Sequence, residues 1–228
     1  MAFWNNLFGR RKNNISERKE EKKNQNEMHP IVENYLTGLK NAYFQNGGIE
    51  DWTHFEKVIH GAKREDIDKI RHLYPETSSA LIDMLEYVDG TYWREYGEDK
   101  ITFFILGSDV KEYPYYLLSS TEIIQNQHQA KAYYSDYVDR KYDGVYIDDK
   151  ITTDSESINW LHFSDCMNNG GTSQLFIDFS PSDKGKKGQV VRFLHDPDEF
   201  KVIAESFEDY LKLLMDNEYN FINEDTME

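Results

Sequence analysis

Hydrophobic residues in the first part of the chain recur every three or four positions, which is the spacing of an amphipathic helix. Four such stripes predict helices over residues 28–44, 52–59, 65–73 and 78–88. Gly47 and Gly48 end the first helix, and either Thr77 or Ser78 can cap the fourth. The N-terminal half of the chain is therefore predicted to be helical.

The C-terminal third alternates short apolar runs with polar turns. Runs at 160–163, 175–179 and 189–194 predict strands, separated by turns at 168–171 and 181–188. Asn and Gly favour such turns because they tolerate a positive φ angle. Six residues then recur at helical spacing and predict a C-terminal helix, with Asp196 or Asp198 as its cap: Val202, Ile203, Phe207, Tyr210, Leu211 and Leu214.

The middle of the chain adds further elements. Ile101–Leu106 is a continuous apolar run, which predicts a central strand, and 115–118 predicts a second one. A short helix is predicted from Thr121, with Ile123 and Ile124 buried. The whole pattern predicts an α+β fold, in which N-terminal helices pack on a mixed, mainly antiparallel sheet with a C-terminal helix.

Several of these segments also resemble the SUKH superfamily, the Smi–Knr family named after a yeast cell-wall regulator. The resemblance spans about residues 62 to 214. It is carried in order by Leu73-Tyr74-Pro75, Ala80 to Leu85, Asp89-Gly90, Trp160-Leu161-His162-Phe163, Gly170-Gly171, Leu175 to Asp178, Gly188-Gln189-Val190-Val191, His195-Asp196 and Ala204 to Leu211. The family's glycine turn often runs Gly-Gly-Gly-Asp, where this chain has Gly170-Gly171-Thr172-Ser173, and its Leu-Pro is here interrupted by Tyr74.

The resemblance implies a single SUKH-like domain over residues 28–228 and a role in binding proteins. Bacterial members are generally regarded as immunity proteins that bind and neutralise a cognate toxin domain, often a nuclease, in the cytoplasm. A cytoplasmic scaffold or regulator, like the cell-wall regulators of the family, is the alternative. A hydrolase is the third and least favoured hypothesis.

Residues 1–27 differ in composition from the rest and predict a charged, mobile N-terminal tail. Phe3, Trp4, Leu7 and Phe8 precede the basic cluster at 10–12, so residues 1–12 are a candidate for weak membrane contact. A tail that packs on its own domain, or on nothing, is the simpler interpretation. The length of 228 residues suits one domain with such a tail.

The charge balance favours some partners over others. Forty-two acidic residues against 26 basic ones give a formal charge of −16. Such a surface repels nucleic-acid phosphates and favours encounter with a basic protein, here a basic toxin domain.

The single cysteine, Cys166, excludes an intramolecular disulfide and fits a reducing compartment. With no apolar run of membrane-spanning length and no secretory signal, we expect a cytoplasmic protein.

Tyrosine and acidic residues interleave between positions 93 and 149. Tyrosine is enriched at protein interfaces because it offers a large contact area at a small entropic cost. We expect about half of these rings to be core residues. The candidate partner-contact residues are Trp93, Tyr96, Tyr113, Tyr133, Tyr134, Tyr137, Asp143, Asp148 and Asp149.

Catalytic constellations are weak. His162 and Cys166 lack the three or four ligands of a zinc site, and a lone cysteine is more often a buried apolar residue than a nucleophile. His195-Asp196 fits either an acid–base pair or a turn. Asp148, Asp149 and Asp178 follow no EF-hand pattern. We therefore expect no enzyme activity, no cofactor and no metal.

Overall fold

The computed structural model describes residues 28–111, 113–166 and 173–223. The tail at 1–27 and the turn at 168–171 lie outside these residues. The described part of the chain opens with four helices, which are α1 (Pro30–Gln45), α2 (Ile49–Val58), α3 (Arg64–Leu73) and α4 (Ser79–Tyr87). All four were predicted from the apolar spacing. Ser78 caps α4, because its side chain accepts a hydrogen bond from the amide of Ala80 at 3.0 Å.

The remaining elements carry the sheet. They are β1 (Arg94–Tyr96), β2 (Asp99–Ile101), β3 (Tyr116–Leu117), α5 (Ser120–Gln125), α6 (Gln129–Val138), β4 (Tyr146–Ile147), a 3-10 turn (Ser155–Ser157), β5 (Trp160–Cys166), β6 (Ser173–Asp178), β7 (Gln189–Leu194), β8 (Glu199–Ala204) and α7 (Phe207–Asp216). Strands β1 and β2 form a separate hairpin, and the other six form one sheet in the order β3-β5-β6-β7-β8-β4. Every pair in that sheet is antiparallel except β4 with β8. The predicted α+β class, with a mixed and mainly antiparallel sheet and a C-terminal helix, is confirmed.

Both faces of the six-stranded sheet are buried. Leu175 and Ile177 in β6 face the larger core, which the N-terminal helices and α7 complete. Phe176, between them, faces a second core with Trp160 and Phe200, which α6 covers through residues such as Tyr134. Successive residues of a strand point to opposite faces, so a strand buried on both sides reads as an unbroken apolar run.

The predicted central strand at Ile101–Leu106 is wrong. Only Ile101 belongs to a strand, and residues 102–105 have no regular structure. Phe103 stacks on Phe55 in α2, with ring centroids 4.2 Å apart, and its amide donates to the carbonyl oxygen of Thr91 at 2.8 Å. The run is apolar because it is buried among helices, and burial alone does not distinguish such a segment from a central strand.

The start of the predicted C-terminal helix is also wrong. Val202 and Ile203 lie in β8, a strand that the sequence did not predict. Helix α7 begins only at Phe207, after Ser206, whose side chain accepts a hydrogen bond from the amide of Asp209 at 3.0 Å. Neither Asp196 nor Asp198 is the cap. Apolar residues at the end of a strand and the start of a helix had merged into one apparent helical stripe.

A buried ionic cluster ties the loop before β3 to the sheet. The guanidinium of Arg192, only 2% exposed, donates from Nε to Oδ1 of Asp109 at 2.5 Å, and its Nη2 lies 3.2 Å from Glu199. Lys201 donates to Oδ2 of Asp109 at 2.7 Å. Burial acts to raise the pKa of Asp109, but the two cations outweigh it and lower that pKa below its usual value.

Candidate functional site

Helix α6 positions most of the tyrosines that the sequence singled out. Ala130, Tyr134 and Val138 form its buried stripe against the sheet. The ring of Tyr134 lies 4.7 Å from that of Phe193 and 5.0 Å from that of Phe200, and its hydroxyl donates to the side-chain oxygen of Gln174. Burial raises the pKa of Tyr134. This ring anchors the helix to the sheet.

Tyr137, one turn further along, lies at the margin of the same contact. Its hydroxyl donates to Oδ2 of Asp198 at 2.6 Å, and its ring centroid lies 4.6 Å from that of Tyr142. The hydrogen bond to Asp198, together with burial, raises the pKa of Tyr137 to about 12. Asp198 also pairs with Nδ1 of His195 at 2.8 Å. The turn between β7 and β8 thus fixes the ring of Tyr137.

Three further rings next to this contact face solvent. Tyr133 is 69% exposed, Tyr142 is 49% exposed, and Tyr146 in β4 is 57% exposed. Asp143 is exposed as well, and no ion pair to it occurs within the described part of the chain. We call this group the α6 surface, defined as Tyr133, Tyr137, Tyr142, Asp143 and Tyr146.

Trp93, by contrast, lies far from the α6 surface. Trp93 precedes β1, and its neighbour Tyr92 packs on Tyr116 in β3 with ring centroids 4.4 Å apart. Strands β3 and β4 are opposite edges of the sheet, so about five strand spacings, roughly 24 Å, separate them. The nine candidate residues therefore do not form one continuous surface.

Two of the candidate rings are structural, which corrects their interpretation as contact residues. Tyr96 is buried and donates its hydroxyl hydrogen to the carbonyl oxygen of Gly90 at 2.8 Å, and Tyr134 is buried under α6. Tyr113 is half-buried against the larger core. A ring already enclosed by its own domain contributes to stability and presents no area to a partner.

Asp148 and Asp149, two of the candidate partner-contact residues, both make contacts within the domain. Asp148 accepts hydrogen bonds from the amides of Lys150 at 3.0 Å and Val202 at 3.3 Å, so it holds β4 beside β8. Asp149 is exposed and pairs with Lys184 at 2.7 Å, in the loop between β6 and β7. That loop lies at the other end of β7 from the β7–β8 turn, so the carboxylate of Asp149 is engaged away from the turn that holds Tyr137.

The residues considered for catalysis are placed apart. The ring of His162 stacks on Phe176 in the core beneath α6, whereas Cys166 is buried in the core on the opposite face of the sheet. His162 is held by Asp165 and Asn126 at 2.9 and 3.1 Å. Burial raises the pKa of Asp178, which accepts hydrogen bonds from Ser180 and Gln189.

The described residues contain no cluster of three metal-ligating side chains. None of their helices has the length and apolarity to cross a membrane.

The sequence interpretation missed helix α6 and the contribution of the β7–β8 turn. The signal for α6 was present, because Ala130, Tyr134 and Val138 are four residues apart. The role of Asp198 as the acceptor for Tyr137 carries no such local signal, since 61 residues separate the two.

The fold and the α6 surface together define a class of protein, an α+β domain whose sheet is covered on both faces and whose exposed tyrosines cluster at one edge. Comparison with family models identifies it further. The model of the SMI1/KNR4 family (SUKH-1) matches residues 61–213, which is most of the chain, and the chain belongs to that family. Comparison with curated proteins gives no match.

Proposed function

We propose that the chain is a protein-binding module, and specifically a bacterial immunity protein that neutralises a basic toxin domain, with a nuclease as the candidate class. The observation that carries this proposal is the α6 surface. Three of its rings are exposed, and the fourth, Tyr137, is half-buried against Phe193 and Phe200 of the sheet. Membership of the SUKH-1 family supports a binding role at the family level. A binding role requires no catalytic group.

The packing beneath the surface supports a preorganised contact. Tyr137 is fixed by Asp198, and Tyr142 lies on Tyr137, so these rings lose little freedom when a partner covers them. Each flexible side chain that a partner must immobilise costs about 0.5–1.5 kcal/mol. Rings that are already held avoid part of that cost, which is why rigid tyrosines serve well as anchors.

The charge of the domain supports a basic partner. Residues 1–27 carry seven basic and four acidic side chains, so the rest of the chain has a formal charge of −19. Opposite charges on two proteins accelerate their encounter more than they strengthen the final complex. Asp143, exposed between Tyr142 and Tyr146, is the carboxylate best placed to act on encounter at this surface.

The test is a binding assay between this chain and the toxin encoded beside its gene. Tyr133→Ala should weaken binding about tenfold or more, because large aromatic anchors dominate interface energies. Ile49→Ala is the matched control, since Ile49 is 52% exposed on a different helix. Asp143→Lys should slow association and reduce its salt dependence, whereas Asp183→Lys, in the distant β6–β7 loop, should change both much less.

Equal binding by wild type and the Tyr133→Ala variant would remove the α6 surface from the account. A chain that binds no neighbouring toxin but captures a cellular regulator would favour the scaffold role, the alternative that family resemblance leaves open. Inspection of the neighbouring genes precedes both measurements, because a toxin gene beside this one favours immunity.

A further inference from the structure

The β1–β2 hairpin presents one indole ring to solvent with a cation already on it. Trp93 is 58% exposed, and Nζ of Lys100 lies 4.6 Å from the centroid of its ring. Tyr92 stands nearly perpendicular to Trp93, at an interplanar angle of 84°. Two aromatic walls at right angles, with an ammonium group over one face, have the geometry of a cation–π site.

The backbone at Trp93 is held in a conformation that bulky residues rarely adopt. Its φ angle is +49°, in the left-handed region where a side chain other than that of glycine costs about 1–2 kcal/mol. Residues on either side of Trp93 are bonded to the rest of the domain. Thr91 pairs with Leu117 and Phe103, and Arg94 pairs with the buried carboxylate of Asp89. The hairpin base is therefore fixed on both sides, and the indole between them projects outward.

The acidic residues of the hairpin favour the binding of a cationic group. Glu95 lies directly across from Lys100 in the hairpin register, and Glu98 is exposed at the turn. Nζ of Lys100 nevertheless lies over the ring of Trp93, and no ion pair joins it to Glu95 within the described hairpin. Lys100 thus occupies the place that an external lysine or arginine would take, with Glu95 beside it.

We propose that Trp93, Tyr92 and Glu95 form a binding site for a lysine or arginine side chain of a basic polypeptide, and that Lys100 is its internal competitor. This inference deepens the proposed function and rests on it for the identity of the polypeptide. It does not depend on the α6 surface, because the two lie at opposite edges of the sheet.

The experiment uses the full chain and a fluorescein-labelled peptide in which arginines alternate with glycine and serine, followed by anisotropy at low salt. Trp93→Ala changes no charge and should weaken binding about three- to tenfold. The affinity of Trp93→Phe should lie between those of wild type and Trp93→Ala, because indole binds cations better than a phenyl ring does. Lys100→Ala should tighten binding about two- to threefold more than Lys212→Ala, which removes the same charge from α7. Unchanged thermal unfolding midpoints verify that each variant is folded.

Two results would overturn the site: peptide affinity that is equal in wild type and Trp93→Ala, or a Lys100→Ala effect no larger than that of Lys212→Ala. If Trp93→Ala does not fold, the Trp93→Phe and Lys100→Ala comparisons still decide the matter. Neither outcome bears on toxin capture through Tyr133. The Trp93 and Lys100 variants test the cation site, and the Tyr133→Ala variant tests the immunity role, so the failure of one proposal can be distinguished from the failure of the other.

Discussion

Removal of Asp109 should destabilise the protein more than removal of its buried partner Arg192. In the Asp109→Ala variant, the guanidinium of Arg192, which is 2% exposed in the wild type, loses its nearest carboxylate and keeps Glu199, at 3.2 Å. Breaking one partner of a buried ion pair costs about 3–5 kcal/mol, because a charge remains in the interior without compensation. Glu199 offsets part of this loss, so we expect about 3 kcal/mol.

Replacing Arg192 should destabilise the protein less than replacing Asp109. Arg192→Met removes the buried charge itself and leaves Asp109 paired with Lys201, which is partly exposed. We expect a loss of about 1 kcal/mol, and the double variant Asp109→Ala with Arg192→Met should be more stable than Asp109→Ala alone. For a domain of this size, 3 kcal/mol corresponds to a fall in melting temperature of about 6–12 °C.

Urea unfolding of the four proteins at pH 7, followed by circular dichroism, measures these differences. The same series against pH adds a check. The pKa of Asp109 is lowered in the folded state, so its stabilisation is present above its unfolded pKa, about 3.9, and is lost as pH falls through the folded value. The gap between wild type and Asp109→Ala should therefore shrink below about pH 4. A double variant no more stable than Asp109→Ala would refute the idea that an unpaired Arg192 causes the loss.

Three further predictions concern other parts of the chain. Gly61→Ala should cost about 3 kcal/mol in urea unfolding, because the added Cβ would lie 1.9 Å from the backbone oxygen of Glu86; an unchanged midpoint would contradict that contact. Ser119→Ala should cost about 1 kcal/mol, since it breaks the capping box with Glu122 at the start of α5, and Ser119→Thr should restore most of it. If residues 1–12 contact membranes, the full chain should float with anionic liposomes, and a chain that lacks them should not; equal flotation rejects the contact.

The parts of the fold that could be predicted are those that short stretches of sequence determine. Helices α1 to α4 each carry their own apolar stripe, so residue spacing alone was enough. The failures share a physical cause. Ile101–Leu106 is apolar because it packs among helices, and Val202 in β8 is apolar because it packs, half-buried, against the core beneath α6. Burial favours apolar residues whatever the backbone conformation beneath them.

The candidate site was only partly predictable for a related reason. Tyr133 and Tyr134 are chemically identical neighbours, yet the first is 69% exposed and the second is buried. The direction of α6 relative to the sheet decides between them, and that direction depends on residues such as Phe193 and Phe200 far along the chain. Composition could indicate a tyrosine-rich surface but could not say which rings belong to it.

The packing of α1 has a consequence for how the protein is made. Tyr35 in this first helix accepts a hydrogen bond at its carbonyl from the hydroxyl of Tyr219, and the two rings are 5.4 Å apart. During synthesis, α1 leaves the ribosome long before residue 219 exists. Helix α2 and Phe103 can cover Tyr43 early, but the part of α1 that packs on α7 and Tyr219 stays uncovered until most of the chain has been made. Strands β5 to β8 and helix α7 are contiguous in sequence, so they can assemble as soon as they emerge. Helix α1 can then pack against α7. Nascent chains stalled before residue 219 should therefore depend on chaperones that shield α1.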